Sequence, residues 1–118
     1  MIETIGVRLN QLIEGIVPFY FSEAQAKDYP FAVYTLTATP VRTKDGIIRY
    51  EASVQINVYS ENLDEADHIS NEILNALDEG MKGPEYYARI TSTNKECVEN
   101  VWDVNMNLMC KQYKNGRI

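Results

Sequence analysis

The sequence has two cysteines and one histidine, His68, among the residues that most often act as nucleophiles or metal ligands. Together with Glu65, His68 forms Glu-x-x-His, a spacing that puts two metal ligands on one face of a helix. Dinuclear carboxylate-bridged sites use this pair twice, whereas here it occurs once. We therefore interpret His68 as a solvated helix residue, and the sequence predicts no metal site.

The string Asp64-Glu65-Ala66-Asp67 matches an acidic motif of helicases. In those enzymes the acidic pair ends a strand and holds Mg²⁺ beside a phosphate-binding loop. Here the string opens a predicted helix, and the sequence contains no G-x-x-x-x-G-K-[ST], no G-x-G-x-x-G and no G-x-S-x-G. It also lacks a plausible Ser/His/Asp or Cys/His arrangement. We expect no catalytic or cofactor-binding residues, and a protein that is not an enzyme.

Cys97 and Cys110 are the two cysteines, and neither belongs to a CxxC motif or a His/Cys cluster. Their wide spacing favours two reduced, partly buried thiols. A disulfide is expected only if the last two strands place these residues side by side.

The composition is that of a single globular domain spanning residues 1–118. A net charge of −6 argues against a general affinity for nucleic acid, which depends on phosphate neutralisation by lysine and arginine. No stretch approaches the roughly 20 apolar residues that a membrane span needs, so we expect no membrane partner. The first four residues, Met1 to Thr4, do not resemble a signal peptide.

The first half of the chain is predicted to form a helix followed by a long hairpin. An apolar stripe predicts a helix from Ile2 to Val17, which Pro18 ends. A strand is expected from Phe31 to Thr39, with Pro40 indicating an edge position or a bulge. Lys44-Asp45-Gly46 is a turn signal, because glycine accepts a positive φ. The return arm, Ile48 to Val58, alternates apolar and polar residues and predicts one buried face.

The second half is predicted to form a helix and two further strands. Asn62 is the expected N-cap of a helix from Leu63 to Glu79, and Gly80 is the expected stop signal. Strands are expected from Tyr86 to Thr93 and from Val101 to Lys111, with a turn over Asn94 to Asn100. The predicted class is α+β, with the order α-β-β-α-β-β. Two helices pack on one face of a mainly antiparallel sheet of about four strands.

Two surfaces are candidates for contact with other molecules. The first is the hairpin tip, formed by Arg42, Lys44, Asp45, Gly46, Arg49 and Glu51. Its basic residues are diluted by the acidic ones. They indicate either an ordinary solvated turn or a charged contact with a neighbouring subunit or nucleic acid. The second surface is the polar face of the return arm, Ser53, Gln55 and Asn57, which is a candidate face between subunits.

The central part of the chain resembles the tail-completion, or tail-terminator, family of long-tailed phages and prophages. The resemblance rests on Tyr29-Pro30-Phe31-Ala32-Val33-Tyr34, on Lys44-Asp45-Gly46, on the segment from Tyr50 to Ser60, and on a following helix with Ala66 and Ile73 to Leu77. It covers residues 1 to 80 well and the last strands only by general pattern.

The resemblance implies a structural role in virion assembly. Members of the family form a hexameric ring that caps the head-proximal end of the tail tube and docks to the head connector. The expected partners are therefore other copies of the chain, the tube protein and the connector protein, while DNA passes through the ring unread. The expected location is the bacterial cytoplasm during assembly and then the virion tail. In the family a long hairpin reaches toward the ring interior or the tube, and Thr39 to Glu51 match it.

Two other interpretations remain open from the sequence. One is a different phage neck or tail component, such as a head-closure or minor tail protein on a similar fold. The other is a small enzyme or ligand-binding module that uses the sheet face, which would need a concave pocket with convergent polar groups.

Overall fold

The computed structural model describes residues 5–21, 28–81 and 86–113. Within those ranges the elements are α1 (Ile5–Ile13), β1 (Phe19–Phe21), β2 (Phe31–Thr43), β3 (Gly46–Ser60), α2 (Leu63–Gly80), β4 (Tyr86–Val98) and β5 (Val101–Tyr113). The strands form one sheet in the order β1-β2-β3-β5-β4. β1 runs parallel to β2, and the other neighbouring pairs are antiparallel. The α+β class is as predicted, but the sheet is mixed and has five strands in the described residues, where about four antiparallel strands were expected.

The additional strand, β1, lies in a segment that the sequence pattern leaves as a connector. Its residues Phe19, Tyr20 and Phe21 pair with Ala32 to Tyr34 of β2. Phe19 stacks on Tyr34 with ring centroids 4.3 Å apart, and Phe21 meets the same ring edge-on at 5.2 Å. Three residues are too few to show a period of two, so the strand is held by these aromatic contacts and has no visible pattern of its own.

Helix α1 is shorter than its apolar stripe predicts. It ends at Ile13, and the amides of Ile16 and Val17 both donate to the Ile13 carbonyl, at 2.8 and 3.3 Å. Pro18 therefore follows a turn and does not itself end the helix. The predicted first residue, Ile2, lies outside the described residues. Ile5, Leu9 and Ile13 are buried against the sheet and α2, as the stripe predicts.

The β2–β3 hairpin is long, as predicted, and is longer than the expected strand. β2 continues through Pro40 to Thr43, and Gly46 turns the chain with a φ of 111°. β1 covers only the start of β2, so Pro40 lies where the far side of β2 has no partner strand among the described residues. A missing N–H is tolerated there. The pairing register shifts between Val41 and Arg42, which also fits the predicted edge or bulge.

The β4–β5 hairpin corrects the predicted turn over Asn94 to Asn100. β4 continues to Val98, and the turn consists of Glu99 and Asn100, whose φ values are 51° and 66°. Two consecutive positive φ values are typical of a type I′ turn, whose twist matches that of the two strands it joins. The polar residues after Asn94 suggested a loop because β4 is an edge strand whose second half is exposed. Such a strand needs no apolar alternation.

The two helices cover one face of the sheet, as predicted. Alternate residues of β3 and β5 point toward them and are buried, including Val54, Ile56 and Val58 of β3 and Met106 and Leu108 of β5. The molecule extends 52 × 24 × 22 Å. The two hairpin turns lie at opposite ends of its sheet, because Arg49 pairs with Tyr113 at one end and Ser60 pairs with Trp102 at the other.

Helix α2 ends at Gly80, where the sequence predicts its stop signal, and this residue also contacts α1. It is the last residue of α2, Met81 follows as the C-cap, and the Gly80 backbone lies against Leu12 of α1. Its carbonyl accepts hydrogen bonds from Arg8 Nε and Nη2 at 3.3 and 3.1 Å. The position therefore holds the two helices together at close range. No helix in the described part of the chain combines the length and apolar character that crossing a membrane requires.

Candidate interaction surfaces

The acidic string at the start of α2 stabilises the helix and does not form a ligand cluster. Asn62 is the N-cap, as predicted, and its Oδ1 accepts from the Glu65 amide at 3.1 Å. Glu65 Oε1 accepts from the buried Ser60 Oγ at 2.7 Å. Asp64 and Glu65 lie in the first turn, where carboxylates interact favourably with the helix dipole.

His68 and Glu65 do not act together. His68 is largely exposed, and its Nε2 lies 2.9 Å from Glu72 Oε1, one turn further along α2. Glu65 is engaged with Ser60 instead. Among the described residues there is no group of three or more His, Cys, Asp or Glu side chains that could hold a metal ion.

The two cysteines are free thiols in different environments. Cys97 is exposed and pairs with Trp102 across the β4–β5 hairpin, whereas Cys110 is buried and pairs with Ala88. Neighbouring strands therefore do not place the two sulfurs side by side. Burial raises the pKa of the Cys110 thiol to about 12.

The hairpin tip separates into a neutralised pair and an exposed loop. Arg49 Nε donates to Glu51 Oε1 at 3.0 Å, so these two charges compensate each other. Arg42, Lys44 and Asp45 are exposed at the far end of the hairpin. The basic cluster predicted for this region is therefore reduced to Arg42 and Lys44, with Asp45 between Lys44 and Gly46.

The sheet face opposite the helices is called the open face, since no other element of the described chain covers it. It carries the predicted residues Ser53, Gln55 and Asn57, of which Ser53 and Gln55 are exposed. The register adds residues from the neighbouring strands: Gln55 lies between Thr35 of β2 and Asn107 of β5. The alternation of apolar and polar residues in β5 also places Asn105 and Asn107 on one side of that strand, but alternation alone does not show which strand lies beside them.

Amide and hydroxyl side chains form a hydrogen-bonded row across the middle of the open face. Asn105 Nδ2 donates to Asn57 Oδ1 in a short hydrogen bond, and Asn57 Nδ2 donates to the Tyr59 hydroxyl at 3.2 Å. Asn107 Nδ2 donates to Asn105 Oδ1 at 2.9 Å and to Ser92 Oγ at 3.0 Å. The row joins β3, β5 and β4 without a single formal charge.

Opposite charges occupy the two ends of the open face along β4 and β5. The basic end consists of Arg89 and Lys111, and Lys111 Nζ lies 5.7 Å from the centre of the Tyr87 ring. The acidic end consists of Asp103 and Glu96, which are paired across the β4–β5 hairpin.

Asp103 is the most unusual group of the acidic end. Its Oδ1 is inaccessible to solvent and has no hydrogen-bond partner among the described residues. Burial, and secondarily the Glu96 carboxylate, raise the pKa of Asp103 above its usual range. An open groove beside it, with a volume of about 550 Å³, is lined by Gln55, Asn57, Asn94, Glu96 and other side chains of this end.

The comparisons with known proteins concern the fold. No protein-family model matches the sequence, and no curated protein matches it. Among solved structures, the chain is similar to a chain of the virion of a native gene transfer agent particle, with a TM-score of 0.56 and 10% sequence identity. The alignment covers 89% of this chain and 84% of that one. At this identity the likeness is one of architecture.

Proposed function

We propose that this chain is a structural protein of a phage-like virion and not an enzyme. The observation that carries the proposal is the architecture it shares with a virion chain, which extends over nearly the whole of both molecules. Similar folds serve unrelated functions, so the proposal needs support from the surfaces as well. That support comes from the features that an assembly uses: a hairpin that outruns the core and a broad uncovered sheet face.

The more specific proposal is that the chain caps the head-proximal end of a tail tube and helps join tail to head. Residues 41–48 of the β2–β3 hairpin lie beyond the pairing with β5, where Arg42 and Lys44 can reach a neighbouring molecule. We propose a ring of six copies whose neighbours are the tube protein and the head connector protein. The net charge of −6 suits a channel through which DNA passes without binding. Assembly would take place in the bacterial host cytoplasm, and the mature protein would lie in the virion tail.

Deletion of the gene in a particle-producing host tests this role. We expect tails of uncontrolled length that fail to join heads, seen by negative-stain electron microscopy. Wild-type protein supplied in trans should restore joined particles. A chain in which a two-residue Asn-Gly turn replaces residues 42–48, so that Val41 still pairs with Arg49, should fold but fail to restore them.

Other outcomes discriminate between the structural roles. Tails of regular length on heads that have lost their DNA would indicate a head-closure protein. Normal, infectious or transducing particles in the deletion strain would contradict a structural role in the virion altogether.

A further inference from the structure

Both edges of the sheet carry features that oppose pairing with another strand. The β4 edge has a bulge between Ile90 and Ser92 and an exposed Lys95. On the other side, where β2 continues past the three-residue strand β1, the edge has Pro40 and the register shift that follows Val41. Bulges, lysines and prolines are the means by which edge strands avoid edge-to-edge association. The open face presents no comparable obstacle, so it is the better candidate for contact between copies.

The middle of the open face is complementary to itself. Asparagine, glutamine, serine and threonine side chains carry both donors and acceptors, so two identical amide surfaces are able to bond to each other. Two identical charged surfaces would instead repel. The row from Tyr59 through Asn57, Asn105 and Asn107 to Ser92 is already ordered by its own hydrogen bonds. Less conformational freedom is therefore lost when a second surface covers it.

The charged ends determine how the second copy must lie. Arg89 pairs with Met109 and Glu96 pairs with Asp103, so the basic and acidic ends are six residues of β5 apart, which is roughly 20 Å. A two-fold axis that runs across the strands, between the rows of Asn105 and Asn107, exchanges these ends. A two-fold axis along the strands instead leaves each charge at the same height and keeps Arg89 away from Glu96. The opposite charges that it brings together are Lys111 and Glu51, and Glu51 is already paired with Arg49 in its own chain.

We propose that two copies of this chain associate through their open faces about this two-fold axis, with Arg89 of each copy opposite Glu96 of the other. Face-to-face sheets lie about 10 Å apart, a gap that an arginine and a glutamate together span. The same placement brings a guanidinium close to the carboxyl group of Asp103, which is paired with Glu96 across the β4–β5 hairpin. Because of the two-fold symmetry, the contact between Arg89 and Glu96 forms twice in each pair of copies.

The size of the face fits a weak but specific contact. Four strands spaced about 4.8 Å apart, over a length of about 27 Å, give a plane of roughly 500 Å² on each copy. Two such faces bury about 1,000 Å², which is near the lower limit for specific association. We therefore expect a reversible pair with a dissociation constant on the order of 10 μM, which salt weakens because exposed charges are screened.

Sedimentation equilibrium of the purified full chain, from about 1 to 200 μM, tests the proposal through a charge swap. Arg89→Glu and Glu96→Arg each place like charges at both symmetric contacts. Each single variant should weaken pairing about tenfold or more, and the double variant should restore it to within about threefold of wild type. Lys44→Glu is the matched control, because it reverses a charge at the hairpin tip, away from the open face, and should leave pairing unchanged. Circular dichroism confirms that each variant folds.

Three results would overturn this inference: a wild-type chain that stays monomeric throughout, single variants that pair as well as wild type, or a double variant that fails to recover. The inference goes beyond the proposed function, and the two are able to fail separately. A face-to-face pair is closed, whereas a ring needs a head-to-tail contact on other surfaces. A six-copy species that forms regardless of the charge swap would leave the ring intact and overturn the pair.

Discussion

Gly80 of α2 lies so close to Leu12 of α1 that a Cβ on residue 80 would sit 2.7 Å from Leu12 Cδ1 and 3.0 Å from its Cγ. The glycine is therefore a contact residue between two helices, and its carbonyl also receives the Arg8 guanidinium. The close approach to Leu12, and not a positive φ, is therefore what favours a glycine at the end of α2.

Gly80→Ala is expected to destabilise the protein. Helix propensity alone predicts a gain of about 1 kcal/mol in the free energy of unfolding. Overpacking against Leu12 should instead give a net loss of about 1 to 2 kcal/mol. Urea denaturation followed by circular dichroism measures the sign. Gly15→Ala is the control, since an added Cβ there meets no atom within 4 Å. A more stable Gly80→Ala variant would show that the Leu12 side chain makes room for the added methyl group at little cost.

Asn62→Ala should cost about 1 kcal/mol of stability, because the Glu65 amide loses its side-chain acceptor at the start of α2. Asn62→Asp keeps an acceptor oxygen and should stay close to wild type. The backbone amide of Asn62 donates to Ser60 Oγ. Neither substitution removes this donor, so that hydrogen bond does not affect the comparison. Equal thermal midpoints for the Ala and Asp variants would mean that the cap contributes nothing.

Asp103→Asn should raise the stability of the monomer at pH 7. Burial and Glu96 raise the pKa of Asp103 in the folded state above the unfolded value. Between those two pKa values the folded state binds more protons than the unfolded state, so the free energy of unfolding falls as pH rises through this interval. The penalty persists at neutral pH and disappears below about pH 4, the usual range of an aspartate. The advantage of the variant should therefore shrink as the solution is acidified.

Thermal unfolding of dilute protein between pH 3.5 and 7.5 measures this trend. Glu61→Gln, which removes an exposed charge, is the matched control. An advantage of Asp103→Asn that is constant across the range would mean that ionisation of Asp103 is not the cause.

The two thiols should differ sharply in reactivity. In native protein at pH 8, Ellman's reagent should modify Cys97, which is exposed, and spare Cys110, whose burial raises its pKa to about 12. One equivalent should react before denaturation and a second in guanidinium chloride. The Cys97→Ser variant should give none in the native state. Two fast equivalents in the native protein would show that β5 opens readily.

The sequence predicts the faces of the strands better than their partners. The alternation in β3 and β5 correctly separates Val54 and Leu108, which face the helices, from Gln55 and Asn107, which do not. A period of two states which side a residue faces, but it carries no information on which strand comes next in the sheet. The hydrogen bond between Asn57 and Asn105 depends on that order, so it becomes visible only in the structure.

The missed elements have a common physical cause. β1 has only three residues and gains its stability from rings on β2, a contact distant in sequence. The second half of β4 is an exposed edge, so its polar residues from Asn94 onward carry no signature of burial. The bounds of helix α2 agree with the prediction because Asn62 and the carboxylates after it act within one turn of the chain. Interactions between residues close in sequence leave a recognisable pattern there, and interactions between distant residues do not.

Because the two hairpin turns lie at opposite ends of the sheet, each end of the molecule is able to lengthen independently of the other. Adding one residue to each strand of a hairpin lengthens it by about 3.3 Å, and adding two preserves which side chains face the open surface. Such paired insertions leave the buried residues under α1 and α2 in place. The two hairpins are therefore free to differ in length, each to suit a different neighbouring molecule, while the helices and the buried part of the sheet stay the same.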